Sequence, residues 1–150
     1  MWGDSGPRAY VGTTVSGFPN LFLLSGPNTG IGHTSLVYMI ESQLPYVLGA
    51  LRHLDRTGAA AVDVRPEVLE DWDRRLQSKL APTVWNRGGC SSWYLHESGG
   101  NPAIWPDFTW RFRRLTRRFD AEHYDLLPAI TPARVSSDHV GTGTPVETSV

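Results

Sequence analysis

A single cysteine, Cys90, stands in a chain of 150 residues, which excludes an intramolecular disulfide framework and any zinc site built from several thiolates. No apolar run approaches the ~18 residues that a membrane-spanning helix needs. Charge excess of one sign is missing too: 14 Lys and Arg stand against 15 Asp and Glu, which disfavours a globally electrostatic binder of nucleic acid or membranes. Met1 to Arg8 lacks the charged-then-apolar order of a secretory signal, and no Gly-x-Ser-x-Gly nucleophile elbow occurs. These absences lead to the expectation of a soluble, cytoplasmic protein, either one small domain or a piece of a larger one.

What is present is turned often and rich in rings: 15 Gly, 11 Pro, 6 Trp, 5 Tyr and 5 Phe. Tyr10 to Thr14 reads as a short strand. Leu21-Phe22-Leu23-Leu24, bounded by turn residues, reads as a strand buried on both faces, as in a parallel sheet. A Gly-rich loop from Gly26 to His33 follows, and Thr34 or Ser35 caps a helix reaching about Arg56, with Gly58 as its stop. Along that helix Leu36, Val37, Ile40, Leu44, Val47, Leu48 and Leu51 recur at spacings of mostly 3 and 4. Pro45 removes one hydrogen bond inside it and predicts a kink. Ala61 to Arg65 alternates like a strand, and Pro66 opens a second helix with a stripe of Leu69, Trp72, Leu76 and Leu80. The order strand, loop, helix, strand, helix is an α/β rhythm. Beyond it, Ser91 to His96 and Pro102 to Trp105 read as a hairpin or a pair of irregular loops. Asp107 to Phe119 reads as a helix, and residues from about Thr131 to Val150 are expected to be disordered.

The strand-to-helix loop is the place where chemistry is expected. Its glycines let backbone approach a ligand, and free N–H groups at a helix start favour an electron-rich group. A nucleoside-triphosphate loop needs Lys just before the Ser or Thr, and His33 stands there instead. Gly30-Ile31-Gly32-His33-Thr34-Ser35 is close to a dinucleotide fingerprint but lacks its third glycine and its downstream acidic partner. A tight turn into a helix remains the plain alternative. His33, Cys90, Ser35, Ser91 and Ser92 have no visible activating partner, and Glu70, Asp71 and Asp73 read as a solvated helix face. Arg111, Arg113, Arg114, Arg117 and Arg118, interleaved with Trp110 and Phe112, fit either a single-stranded nucleic-acid grip or a surface helix. Near-neutral total charge favours the surface helix.

The run Tyr10-Val11-Gly12-Thr13-Thr14, followed by Gly17-Phe18-Pro19-Asn20-Leu21-Phe22 and Gly26-Pro27-Asn28-Thr29-Gly30, resembles class B flavoprotein monooxygenases, the Baeyer–Villiger monooxygenases and their flavin-containing relatives. The likeness continues through Ile40-Glu41-Ser42-Gln43, Val84-Trp85, Gly89-Cys90-Ser91-Ser92-Trp93-Tyr94, Asn101-Pro102, Trp105-Pro106 and Phe108-Thr109-Trp110-Arg111. It covers about residues 2 to 124. The resemblance implies a partial FAD-binding Rossmann-like unit of strand, Gly loop and long helix, followed by a helix and an irregular C-terminal region; residues 125 to 150 are then a disordered tail. It implies that Gly26, Pro27, Asn28, Thr29 and Gly30 pass beside the flavin, and that Trp93 lies over NADP and the substrate pocket. The family chemistry is reduction of FAD by NADPH, formation of a peroxyflavin with O2, and transfer of one oxygen to a carbonyl compound or a soft heteroatom.

The sequence also departs from that family. The N-terminal Gly-x-Gly-x-x-Gly, the central Phe-x-Gly-x-x-x-His-x-x-x-Trp-Pro signature, the NADPH domain and the peroxyflavin-stabilising arginine do not occur, so no catalytic residue carries over. The chain resembles the final third of such an enzyme, as a truncated gene, a split-gene product or a start assigned too late at Met1. A non-catalytic remnant or interaction module is the alternative. The expected partners are a small organic substrate, O2 and an N-terminal complementary polypeptide, without which the chain is expected to be marginally stable and inactive.

Overall fold

The computed structural model describes residues 2, 6–30, 35–87, 95–96 and 100–129. Its elements run α1 (Leu36–Thr57), β1 (Ala61–Val64), α2 (Pro66–Leu80), α3 (Val84–Arg87), α4 (Thr109–Leu115), a 3-10 turn (Ala121–His123) and β2 (Tyr124–Leu127). The result is α/β, with one two-stranded antiparallel sheet in which Ala61 faces Leu127 and Val64 faces Tyr124. None of the helices among the described residues is long and apolar enough to cross a membrane.

Local sequence accounts for the helix limits. Gly58 takes φ 68 and its N–H returns to the Leu54 carbonyl, which ends α1 in a left-handed cap. Pro66 opens α2, where its missing N–H costs nothing. Pro45 lies inside α1, yet the helix continues for 22 residues. Leu69, Leu76 and Leu80 are buried as the spacing predicts.

Four expectations fail in instructive ways. Tyr10 to Thr14 is a tight turn: Val11 and Gly12 take φ 44 and φ 64, and the Tyr10 amide donates to the Thr14 carbonyl at 2.8 Å. Leu21 to Leu24 is not a strand buried on both faces. Phe22 makes one isolated antiparallel bridge to Thr14, and Leu24 is 46 % exposed. Asn20 and Ser25, both with positive φ, bend the chain on either side of this run, leaving it too short to build a ladder. The tail boundary at residue 124 also moves, because β2 carries paired chain on to Leu127. The helix expected over Asp107 to Phe119 shortens to α4. Its two buried side chains in that stretch, Phe112 and Thr116, give too little cover for a longer amphipathic helix. Of the expected hairpin, residues 91–94 lie outside the described residues.

Helix α1 is apolar on both sides. It turns Met39, Gln43, Tyr46 and Ala50 inward, whereas the obvious aliphatic row lies open: Leu44 is 43 % exposed, Leu48 48 % and Leu51 44 %. The inward face joins a cluster with Tyr10, Val11, Val62, Val64, Leu69 and Tyr124. A second cluster holds Met39, Leu76, Leu80, Ile104, Trp105 and Phe112. Trp72 packs against both clusters, with Tyr10 edge-on to its ring and Trp105 stacked beside it at 6.3 Å.

A buried polar knot crosses the first cluster. The hydroxyls of Tyr10 and Tyr46 donate to the two oxygens of Asp120, and the Tyr124 hydroxyl meets Tyr46 at 3.0 Å and Thr14 at 2.8 Å. Three distant stretches are thereby tied to one carboxylate. Burial, foremost, pushes all three tyrosine hydroxyls above their ordinary 10.0, and the negative charge of Asp120 adds to it. The folded state therefore holds protons that the unfolded chain gives up above that value. Stability is whole below about pH 10 and falls as pH rises further, by up to about 1.4 kcal/mol per pH unit for each tyrosine. Urea midpoints are expected to be flat from about pH 8 to about pH 10 and to drop beyond. Tyr46→Phe should make that drop shallower, and an unchanged slope in the variant would contradict the assignment.

Candidate functional site

The turn Gly26 to Gly30 is held from two directions. On one side it is zipped to the chain around Asn101. The Asn28 amide donates to the Pro102 carbonyl at 2.7 Å, the Gly30 amide to Ala103 at 2.8 Å, and the Trp105 amide back to Gly30 at 2.8 Å. Gly30 and Ile104 thus form a single parallel bridge. The Asn28 side-chain amide donates to the carbonyls of Asn101 and Ile104 at 2.6 and 3.1 Å, and the Thr29 hydroxyl donates to Gly26 at 2.7 Å.

On the other side stands Gln43 of α1, fully buried. Its Nε2 donates to the Gly12 carbonyl and to Thr13 Oγ1, each at 2.9 Å, while its Oε1 accepts from the Ser25 amide at 2.9 Å. One side chain therefore couples helix α1, the Tyr10–Thr13 turn and the approach to the glycine turn. Val11 beneath it is a buried β-branched residue at positive φ, a conformation that persists only where the surroundings enforce it.

Both glycines are explained by close approaches within the chain. A Cβ at Gly26 would sit 2.4 Å from the Gly12 carbonyl oxygen, and one at Gly30 would sit 2.6 Å from that of Ala103. Asn28 and Thr29 are buried with their side chains tied down by these bonds. The turn's outer surface is accordingly poor in side chains and close to bare backbone and proline, which suits a flat ring system. Gly26, Pro27, Asn28, Thr29 and Gly30 are thus brought together in one rigid turn. Trp93, His33, Cys90, Ser91 and Ser92 lie outside the described residues. Ser35 precedes α1 without a side-chain capping bond. Asp71 is engaged by Arg74 and Arg75. In the arginine cluster, Arg111 pairs with Asp107 and Arg113 lies over the Tyr38 ring at 5.3 Å, as a surface helix would have it.

Sequence reasoning missed Gln43 and Asn101 as the residues that shape this turn. Asn101 is fully buried, and its side chain accepts from the Ala103 and Ile104 amides at 3.1 Å and donates to Asn86 at 2.9 Å. The signal for Gln43 was a polar amide in a helix rich in apolar residues, and that for Asn101 an amide between a Gly-Gly turn and Pro102.

Comparison with known proteins now bears on this geometry. No family model matches the chain. A Baeyer–Villiger monooxygenase of Pseudomonas aeruginosa is 58 % identical over 124 residues, covering 82 % of this chain and 24 % of that protein. A second Baeyer–Villiger monooxygenase, from Streptomyces coelicolor, is 44 % identical over 149 residues, covering 97 % and 29 %. The chain is homologous to part of a Baeyer–Villiger monooxygenase. An Aspergillus niger protein named as an FAD-binding monooxygenase is 37 % identical over 118 residues, covering 76 % of this chain and 19 % of its own length. Among solved structures, an oxidized steroid monooxygenase bound to NADP superposes with a TM-score of 0.70 at 25 % identity, covering 84 % of this chain and 24 % of that one. The chain thus spans about a quarter of the length of the Baeyer–Villiger monooxygenases it matches.

The contacts at Gly30 generate a direct test. Gly30→Ala forces the added methyl against main chain and is expected to cost about 2–3 kcal/mol of stability. Gly17→Ala, with φ 79 but nothing within 4 Å, is expected to cost about 1 kcal/mol of backbone strain. Chemical denaturation of both variants gives the comparison; equal losses would contradict the close packing at Gly30.

Proposed function

We propose that this chain forms the flavin- and substrate-side C-terminal portion of an NADPH- and FAD-dependent monooxygenase, which places one oxygen atom from O2 into a carbonyl compound or onto a soft heteroatom. In this reading the Leu21–Leu24 run, the Gly26–Gly30 turn and α1 pack onto a Rossmann-like FAD unit whose strands belong to polypeptide carrying the glycine fingerprint, in the same chain or another. The observation that carries it, beside the homology, is the open face of α1. Leu36, Val37, Leu44, Leu48 and Leu51 are each more than 40 % exposed, on a helix whose opposite face is packed. Such a contiguous aliphatic row marks a buried interface in the working protein.

The residues present fit a flavin in one respect: the side chains of Asn28 and Thr29 are drawn inward, so a planar ring can lie close against the outer backbone of the turn. Flavin reduced by NADPH supplies the activation of O2. The part of Gly26, Pro27, Asn28, Thr29 and Gly30 is to orient that ring and, with the covering polypeptide, to keep water from it. The family resemblance is the support for Trp93 as a residue that meets NADP. The setting is the cytoplasm, the substrate a small organic molecule, and the chain alone is inactive.

Complementation tests this reading. Residues 1–150 are co-expressed with the part of the Pseudomonas aeruginosa relative that lies outside the matched segment. The pair is expected to co-purify as a yellow complex that oxidises NADPH, and the chain alone to retain no flavin. Leu48→Glu should abolish the assembly while changing the stability of the chain itself by less than about 0.5 kcal/mol. Absence of assembly with the unaltered chain, or stoichiometric flavin with turnover in the chain alone, would overturn it.

A further inference from the structure

A cleft of about 370 Å³ opens between α2, the Trp105–Pro106 stretch and the segment around Asp120, and none of Gly26 to Gly30 lines it. This lies at the lower end of volumes that hold small molecules. The residues described as lining it all belong to this chain. The body of the cleft is apolar: Trp72, Leu76, Trp105, Pro106 and Leu115 line it. The two indoles stack at an interplanar angle of 16°, and Phe112 braces Trp105 edge-on at 5.2 Å, so the wall is rigid.

Two cations, Arg75 and Lys79, flank the opening from successive turns of α2. Each is engaged by a carboxylate: Arg75 with Asp71 at 3.0 Å, and Lys79 with Asp107 at 3.6 Å. Arg75 and Asp71 are both well exposed, and such a pair contributes little; Lys79 is 59 % exposed, and Asp107 keeps Arg111 at 3.0 Å when Lys79 turns away. Exchange of those partners for the carboxylate of a ligand therefore costs little, and the new contact gains from the drier walls. The floor holds Asp120 and His123, joined through Nδ1 at 2.8 Å. A second negative charge on a ligand would meet Asp120 there, and a cationic ligand would meet Arg75 and Lys79 first.

We propose that this cleft binds a small monocarboxylic acid with a compact apolar body, the carboxylate held by Arg75 and Lys79 and the body lying against Trp72, Trp105 and Leu115. The site does not rest on the oxygenation reading above, and its test reads binding of the acid rather than turnover. The chain is titrated with 4-phenylbutanoate and, in parallel, with the neutral 4-phenylbutanamide, following tryptophan fluorescence and heat of binding. The acid is expected to saturate the signal and the amide to bind at least roughly tenfold more weakly. Replacing both cations (Arg75→Ala with Lys79→Ala), a change at exposed positions that leaves the core alone, should weaken the acid at least roughly tenfold. Leu115→Trp, which fills the cleft from a half-exposed position, should block the acid without altering the circular dichroism. Failure of the acid to saturate at about 10 mM, equal binding of acid and amide, or undiminished binding in either variant would overturn the proposal.

Discussion

Two buried amide side chains, Gln43 and Asn101, carry the geometry on which everything else rests. The described chain up to Gly30 makes only isolated bridges rather than a ladder, so its main-chain groups must find partners elsewhere or go unsatisfied at real cost. Gln43 serves Gly12, Thr13 and Ser25 from the helix side, while Asn101 and its neighbours serve Asn28 and Gly30 from the other. The turn is therefore fixed by hydrogen bonds that a regular sheet would otherwise supply. Asp120 repeats the device from a half-buried position, where one carboxylate gathers Tyr10 and Tyr46.

That rigid but sheet-poor architecture explains the uneven burial of α1. Its inner face meets Tyr10, Val11 and β1 through Tyr46 and Ala50, whereas Leu44, Leu48 and Leu51 meet solvent. Full burial of each such side chain is worth about 1.5–3 kcal/mol, a driving force for association that exposed polar residues would not give. The edge of β1 is treated differently: Asn20 accepts from the Val62 amide and donates to the Ala60 carbonyl, closing the edge away from β2. Open on the helix and closed on the sheet, the chain directs its association to one face.

Much of this was legible before the structure. The spacing of apolar residues located α1 and α2, Gly58 and Pro66 marked their ends, and alternating Val62 and Val64 marked β1. Periodicity could not tell which side of α1 is covered, because Tyr46 and Met39 on one side and Leu44 and Leu48 on the other both read as apolar. β2 was hidden because four residues, Tyr124 to Leu127, are too few to show alternation, and their order comes from pairing with a strand some sixty residues earlier. The Gly26–Gly30 turn was found by its residues, but the reason for its glycines was not. Gly26 and Gly30 answer to Gly12 and Ala103, contacts that no local pattern reveals.

The central claim is that the outer surface of this turn lies against a flavin once the covering polypeptide is in place. Amide resonances of the labelled chain, recorded in the complemented assembly before and after FAD is added, test it most directly. The account predicts shifts concentrated at Gly26, Thr29 and Gly30, with Gly17 and Gly58 unmoved. Shifts confined to other parts of the chain, leaving the turn untouched while FAD binds, would contradict it.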